Sequence, residues 1–417
     1  MNKYRRLKYA CYTTNISMSV VSNISPLLFL TFRNLYGISY TWLGFLILIN
    51  FVTQLSVDLI FSFFSHRFNI AKTVVFTPVL TVIGLFIYAL WPYIFPQSAY
   101  FGLVLGTLFF SAAAGLCEVL ISPVIAAIPS ENPEREMSKL HAVYAWGVVF
   151  VVIFSTLSLL VIGRENWHWL PITLSLIPLC SFLLYLGTKI PKMNTPERVS
   201  GVLSQMKNKT LWLCVLMIFF GGASEVAMAQ WSSSFMEQAL NIPKVWGDIL
   251  GVALFSAMLG LGRSLYGKYG KHITKILLLG IIGATFCYLI VAISNQPFIG
   301  LIACAFTGLC TSMLWPGSLI VATDHFPQAG VFIFALMAAG GDLGASVAPQ
   351  LIGIVTDITI KHPAILELAT QLALTPEQLG MKLGMLTGMC FPLIAIPLYL
   401  HVHRKTKNNA IQKHAKH

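Results

Sequence analysis

The chain has 417 residues, of which 56% are hydrophobic and only 10% charged, against about 25% charged in a soluble domain. Apolar stretches long enough to cross a hydrocarbon core of about 30 Å as helices recur from end to end, which excludes a soluble globular protein and makes this a polytopic, all-α membrane protein. The net charge of +12 does not mark a nucleic-acid partner, because the basic residues gather in the segments between apolar stretches on one side.

Twelve spans are expected, at roughly 8–32, 39–65, 72–95, 99–128, 133–162, 166–189, 210–238, 245–266, 272–293, 297–323, 328–356 and 380–402. The first follows "MNKYRRLK"; its apolar run is too long for a signal-peptide core and has no small-residue cleavage site, so it is read as a retained helix. An even number of spans puts both termini on one side. Of the 27 Lys and Arg residues, only Arg33, Arg164, Lys244, Lys361 and Lys382 fall on the other side. Positive residues stay inside, so both termini are expected in the cytoplasm, in an inner or plasma membrane. The longest cytoplasmic loop divides the chain into a six-helix bundle at 1–189, a linker at 190–209, a second bundle at 210–403 and a basic tail at 404–417. The eight cysteines lie in or beside spans without metal-ligand spacing and are read as packing residues. No cofactor or metal is expected. The sequons at Asn15, Asn23 and Asn208 fall in the membrane or on the cytoplasmic side and are discounted.

Polar residues inside spans are costly and normally face protein or a water-filled cavity. Span 1 carries Asn15 and Asn23 but no acid; Asn23 is a candidate solute contact. In span 2, Asn50, Gln54 and Asp58 are four apart and share one face. Asn50 and Gln54 lie deeper and suit solute binding. Asp58, towards the cytoplasmic end, suits either a packing or gating contact or proton handling. Span 4 reads "GLCEVLISP" at 115–123, with Glu118 in the apolar run. Low dielectric penalises the anion, so Glu118 is the first candidate for taking up and releasing a proton. Span 5 opens with "SENPEREM", where Asn132 can cap, Pro133 suits the first position, and Glu134 and Glu136 suit the first turn. Counting from that turn, His141 reaches a depth near that of Glu118. A carboxyl–imidazole pair and a histidine bonded to a backbone carbonyl are both open. Tyr144 beside it is a candidate solute contact or a packing aromatic. In span 7, Glu225 is a second candidate for proton handling; with Gln230 and Trp231 after it, a carboxylate, an amide and an indole also suit a hydroxylated solute. Trp231 equally fits an interfacial anchor. Span 10 repeats the span 4 phrase as "GLCTSMLWP" at 308–316. Thr311 stands where span 4 has the acid and is a candidate solute contact, and Trp315 is a candidate stacking surface or a packing residue. Asp342 of span 11 sits in "AAGGDLGASVAP", where small residues allow close approach; it suits proton handling or a bond to a neighbouring helix. Pro349 there can free carbonyls. Segment 358–381 contains "AILELATQLAL", whose periodicity predicts a helix at the membrane surface or over the outer entrance.

A second repeat pairs "ISYTWLG" at 38–44 with "IPKVWGD" at 242–248, so spans 2 and 4 of the first half match spans 8 and 10 of the second. With twelve spans, a central loop and "RSLYGKYGK" at 263–271, the chain resembles the major facilitator superfamily, whose loop signature is roughly G-x-L-x-D-R-x-G-R. Leu265, Gly267, Lys268, Gly270 and Lys271 fit it, with Arg263 at the first glycine. The matching "FSFFSHRFN" at 61–69 keeps only the basic character of His66 and Arg67. Within that superfamily the chain is similar to the fucose permease-like sugar:proton symporters. Glu118 and Pro123, "KLHAVYAWG" at 139–147, and Gly222, Glu225 and Trp231 carry that similarity. Ser122 replaces the usual Asn, and span 1 lacks the group's acid.

The resemblance implies a monomeric secondary active transporter that brings in a small polar solute, a monosaccharide, with protons, by alternating access around a midplane site. Two alternatives stay open. The missing acid in span 1 suits an uncoupled sugar carrier. The aromatic content suits a proton-coupled exporter of amphipathic compounds, although span 5 lacks the G-x-x-x-G-P run of that group. No phosphate-binding loop is present to use ATP. Nor is there an H-E-x-x-H, paired CxxC or G-x-S-x-G motif, so an enzyme is not expected.

Overall fold

The computed structural model describes residues 4–64, 67–129, 133–191, 207–269, 271–326 and 330–414. The expected cap Asn132, His66, most of the linker and the side chain of His141 lie outside the described residues. The helices are α1 (Arg5–Tyr36), α2 (Tyr40–Phe64), α3 (Ile70–Ile94), α4 (Ala99–Ala127), α5 (Pro133–Ile162), α6 (Trp169–Leu174) and α7 (Leu176–Tyr185). They continue with α8 (Lys209–Leu240), α9 (Leu254–Tyr269), α10 (Ile273–Ile293), α11 (Pro297–Thr311), α12 (Leu314–His325), α13 (Gly330–Lys361), α14 (Pro363–Gln371) and α15 (Pro376–His414). No strand occurs among the described residues. Among the described residues ten helical segments are long and apolar enough to cross a membrane, and Trp146–Ile162 and Trp169–Tyr185 are shorter apolar stretches.

The chain forms two compact units, Met1–Val199 and Ser200–His417, each with its own core. In the first unit Leu7, Cys11, Val74, Leu120, Val124 and Leu140 are buried together. The closest helix pair there is α3 with α4, for a local reason. A Cβ on Gly84 would lie 2.6 Å from the Phe110 nitrogen, and one on Gly106 would lie 2.6 Å from the Tyr88 Cβ. Small residues at a crossing let backbones approach in lipid, where dispersion replaces the hydrophobic drive. In the second unit Leu211, Ile218, Leu277, Leu314, Met337 and Tyr399 form the corresponding cluster. The Tyr399 hydroxyl donates to the Met217 carbonyl at 2.7 Å.

Several spans differ from their expected form, and proline explains two of them. Span 10 is not one helix: it breaks at Ser312 and Met313 between α11 and α12. Pro316 has no N–H to offer the Ser312 carbonyl four residues back. Span 6 breaks in the same way at Ser175, where Pro178 leaves the Leu174 carbonyl without its donor. Span 8 begins with a short helix, Lys244–Trp246, and a π-helical stretch, Gly247–Ala253, before α9. Span 12 does not stop at 402. α15 runs through the basic tail for 39 residues, or about 58 Å at 1.5 Å per residue. The periodic segment near 363 does form a short helix, α14.

Three basic residues at span ends, counted with the loop charge, are instead built into the helical units. Lys244 is buried and pairs with Asp248 at 2.9 Å. Lys382 is buried near the start of α15 and donates to the Ser294 carbonyl. That carbonyl lies just past the C-terminus of α10, where a cation is favoured. Arg263 lies inside α9.

Candidate functional site

In the first unit the acidic feature is a pair. A carboxylate oxygen of Asp58 on α2 lies within 4.8 Å of one of Glu118 on α4. The glycine of the repeated phrase creates this approach. A Cβ on Gly115 would lie 3.0 Å from both the Gln54 carbonyl oxygen and the Val57 Cβ, so any side chain there would press α4 away from the turn that carries Asp58. Asp58 is 2% exposed, and its Oδ1 has no hydrogen-bond partner among the described residues. The rest of the α2 stripe is also buried. Ser111 donates to Asn50 Oδ1 at 2.5 Å, and Gln54 makes only a long contact, 3.5 Å, to the Asn50 carbonyl.

The polar groups of α1 fasten α5. Asn15 Nδ2 donates to the Leu140 carbonyl at 2.7 Å, and the Ser19 hydroxyl donates to the Tyr144 carbonyl at 2.9 Å. A Cβ on Gly147 would meet that hydroxyl at 2.6 Å. So the glycine of "KLHAVYAWG" is where α1 docks. The Tyr144 side chain is half-buried. Asn23, expected to meet solute, is buried and bonds the Ser19 carbonyl of its own helix at 2.9 Å.

The second unit holds a charged group that the sequence reading counted with the loop signature after span 8. Arg263 Nη2 lies 3.2 and 3.4 Å from the two carboxylate oxygens of Glu225, and its Nε donates to the Ser312 carbonyl at 3.1 Å. That carbonyl is the one Pro316 leaves without a helical donor. Gly262 brings α9 against the break: a Cβ there would run into the Ser312 side chain. Glu225 is therefore an ion-paired acid rather than an isolated one. Arg263 was legible only as a misfit, an arginine standing at the first glycine of the loop signature.

The remaining candidates divide. Trp315, next to the break, is partly exposed, and its indole lies across Gly222 and Gly341, where added Cβ atoms would meet it. Trp231 has no exposed surface; its indole N–H donates to the Pro349 carbonyl at 3.0 Å. It ties α8 to α13, neither facing solute nor anchoring at an interface. Thr311 is buried and returns its hydroxyl to the Thr307 carbonyl of its own helix at 2.9 Å. Gln230 and Asp342 are both buried. A further ion pair was also missed: buried Lys244 and Asp248, joined by the Ser233 hydroxyl, which donates to the same Asp248 oxygen.

A family model described as Major Facilitator Superfamily matches residues 10–349. No curated relative matches the chain in sequence. Three solved structures show the same fold. A bacterial homolog of the human lysosomal transporter Spinster, inward-facing and occupied, has a TM-score of 0.74 at 12% identity, covering 97% of each chain. A D-xylose–proton symporter has a TM-score of 0.75 at 11% identity, covering 95% of this chain and 97% of that one. The nucleoside transporter NupG has a TM-score of 0.71 at 11% identity, covering 96% of this chain and 100% of that one. At these identities the likeness speaks for the fold alone, but the family match spans most of the sequence. The protein is thus a multi-pass membrane transporter of small molecules, not an enzyme, and it belongs to the Major Facilitator Superfamily.

Proposed function

We propose that the protein imports a small neutral polar solute, a monosaccharide, together with protons, by alternating access, with both termini in the cytoplasm. The observation that carries the proton is the Asp58–Glu118 pair. Two anions at about 4.8 Å repel by on the order of 3 kcal/mol at an effective dielectric near 20, and no cation faces them among the described residues. One neutral acid beside one carboxylate removes that repulsion, which makes the pair a binding place for a single exchangeable proton. A proton bound there biases the cycle only through different affinities in the two orientations. The similarity of 115–123, 139–147 and 221–231 to the fucose permease-like group supports the sugar.

The test uses purified protein in liposomes, a panel of monosaccharides, and uptake with and without an imposed pH gradient. Wild type accumulates a sugar only with the gradient. Glu118→Gln loses gradient-driven accumulation and keeps sugar counterflow. Normal accumulation by Glu118→Gln removes the coupling role. Proton flux driven by amphipathic drugs and by no sugar replaces this reading with that of an exporter. Sugar uptake without proton flux leaves an uncoupled carrier.

A further inference from the structure

Arg263 carries a full charge inside a membrane-spanning helix, yet its side chain is 38% exposed, and that of its partner Glu225 is 15% exposed. Arg263 stands near the end of its span, Lys244–Tyr266, and an exposed guanidinium there is tolerated where it meets water, so this pair borders water. The arginine is also mounted rigidly. Nε is held by the Ser312 carbonyl, and Nη2 by both Glu225 oxygens. Nη1 makes no protein hydrogen bond among the described residues, so its two N–H groups stay available. A planar fork fixed at two corners loses little freedom when the third binds a ligand.

We infer that Arg263 and Glu225 form a solute-binding pair for two neighbouring hydroxyls of a neutral sugar or polyol; the inference rests on the monosaccharide reading above and names its contact in the second unit. The chemistry selects that class. Each hydroxyl is both donor and acceptor, and the pair offers N–H donors from Nη1 beside the lone pairs of Glu225. Its net charge is zero, so it has no electrostatic bias towards an anion. Gly222 lies one helical turn before Glu225, and the indole of Trp315 lies across it. An aromatic surface therefore stands next to the polar pair, suited to the apolar face of a sugar ring.

The experiment is calorimetric titration of full-length protein in micelles at fixed pH, so that proton coupling plays no part. The probes are D-glucose, D-xylose, L-fucose, 2-deoxy-D-glucose and D-glucuronate. Wild type binds at least one neutral sugar and discriminates against D-glucuronate. Arg263→Lys keeps the charge but loses the fork; it binds that sugar at least about tenfold more weakly while melting near wild type. Glu225→Gln leaves the guanidinium without its counter-charge and shifts the preference towards D-glucuronate, a change that general destabilisation does not produce. Neutral-sugar binding that both substitutions leave intact overturns the inference alone. A wild type that prefers D-glucuronate overturns it as well. No neutral sugar binding to wild type overturns the inference and the monosaccharide reading together.

Discussion

Glycine does more to define the acidic pair than the acids themselves do. Gly115 is the contact that lets α2 pass close to α4, with Gln54 and Val57 at 3.0 Å from the missing Cβ. Gly308 has the same duty in the second copy of the phrase, where a Cβ would meet the backbone of Phe255. We therefore expect Gly115→Leu to separate the α2 and α4 backbones. The cost in stability is about 1–3 kcal/mol from overpacking, read as a lower melting temperature. Gradient-driven uptake falls as in Glu118→Gln, although both carboxyl groups remain. Uptake at the wild-type level from a folded Gly115→Leu protein refutes the contact. The Asp58–Glu118 pair was half legible: the sequence shows two acids in the same half, but their spacing depends on one missing side chain. Arg263 was not legible, because an arginine at the start of the loop signature is counted with the loop charge even though the expected span 245–266 contains it, and its partner Glu225 lies on another span.

Identical sequence phrases do not impose identical helices. α4 runs unbroken across Pro123, while span 10 breaks before Pro316. Each proline frees the carbonyl four residues earlier, but only the second copy supplies a new donor, Arg263. Aligning the repeated Ile and Trp of spans 2 and 8 puts Leu59 opposite Arg263, and leucine donates nothing. The repeat was readable; the break was not, since it depends on a side chain from another span. Pro316→Ala returns an N–H to the Ser312 carbonyl. The expected result is a continuous helix with a melting temperature at or above wild type. Arg263 loses its mount, and solute affinity falls. A lower melting temperature with unchanged affinity contradicts this. Lys244 and Asp248 test a different energetic rule at the start of span 8. Lys244→Met leaves the buried carboxylate without its counter-charge and costs about 3–5 kcal/mol. Replacing both Lys244 and Asp248 by methionine restores most of that loss, as thermal denaturation in micelles can show. If the double replacement is as unstable as the single one, the ion pair is not the source of the cost.

At the scale of the molecule, charge asymmetry is sharper than a count along the sequence suggests. Lys244 and Lys382 count against the cytoplasmic assignment of the termini when read as loop residues, yet both are buried and bonded, to Asp248 and to the Ser294 carbonyl. Residues held in this way are poor topology signals, because the rule concerns free charge near the span ends. That leaves Arg33, Arg164 and Lys361 facing the opposite side. α15 adds positive charge to the side of the termini, the side proposed above as cytoplasmic. At about 58 Å it is far longer than a hydrocarbon core of about 30 Å, so it projects well beyond the membrane with Arg404 and Lys405 exposed on it. Two reporter fusions follow from this orientation. A fluorescent protein that matures only in the cytoplasm, joined after His417, is expected to fluoresce. Alkaline phosphatase, active only outside, is expected to be active when joined after α14 at Ala373. The reverse pair of signals inverts the protein in the membrane. Replacing Lys244 and Asp248 together by methionine changes neither signal, because a buried pair contributes no free charge for the insertion machinery to read.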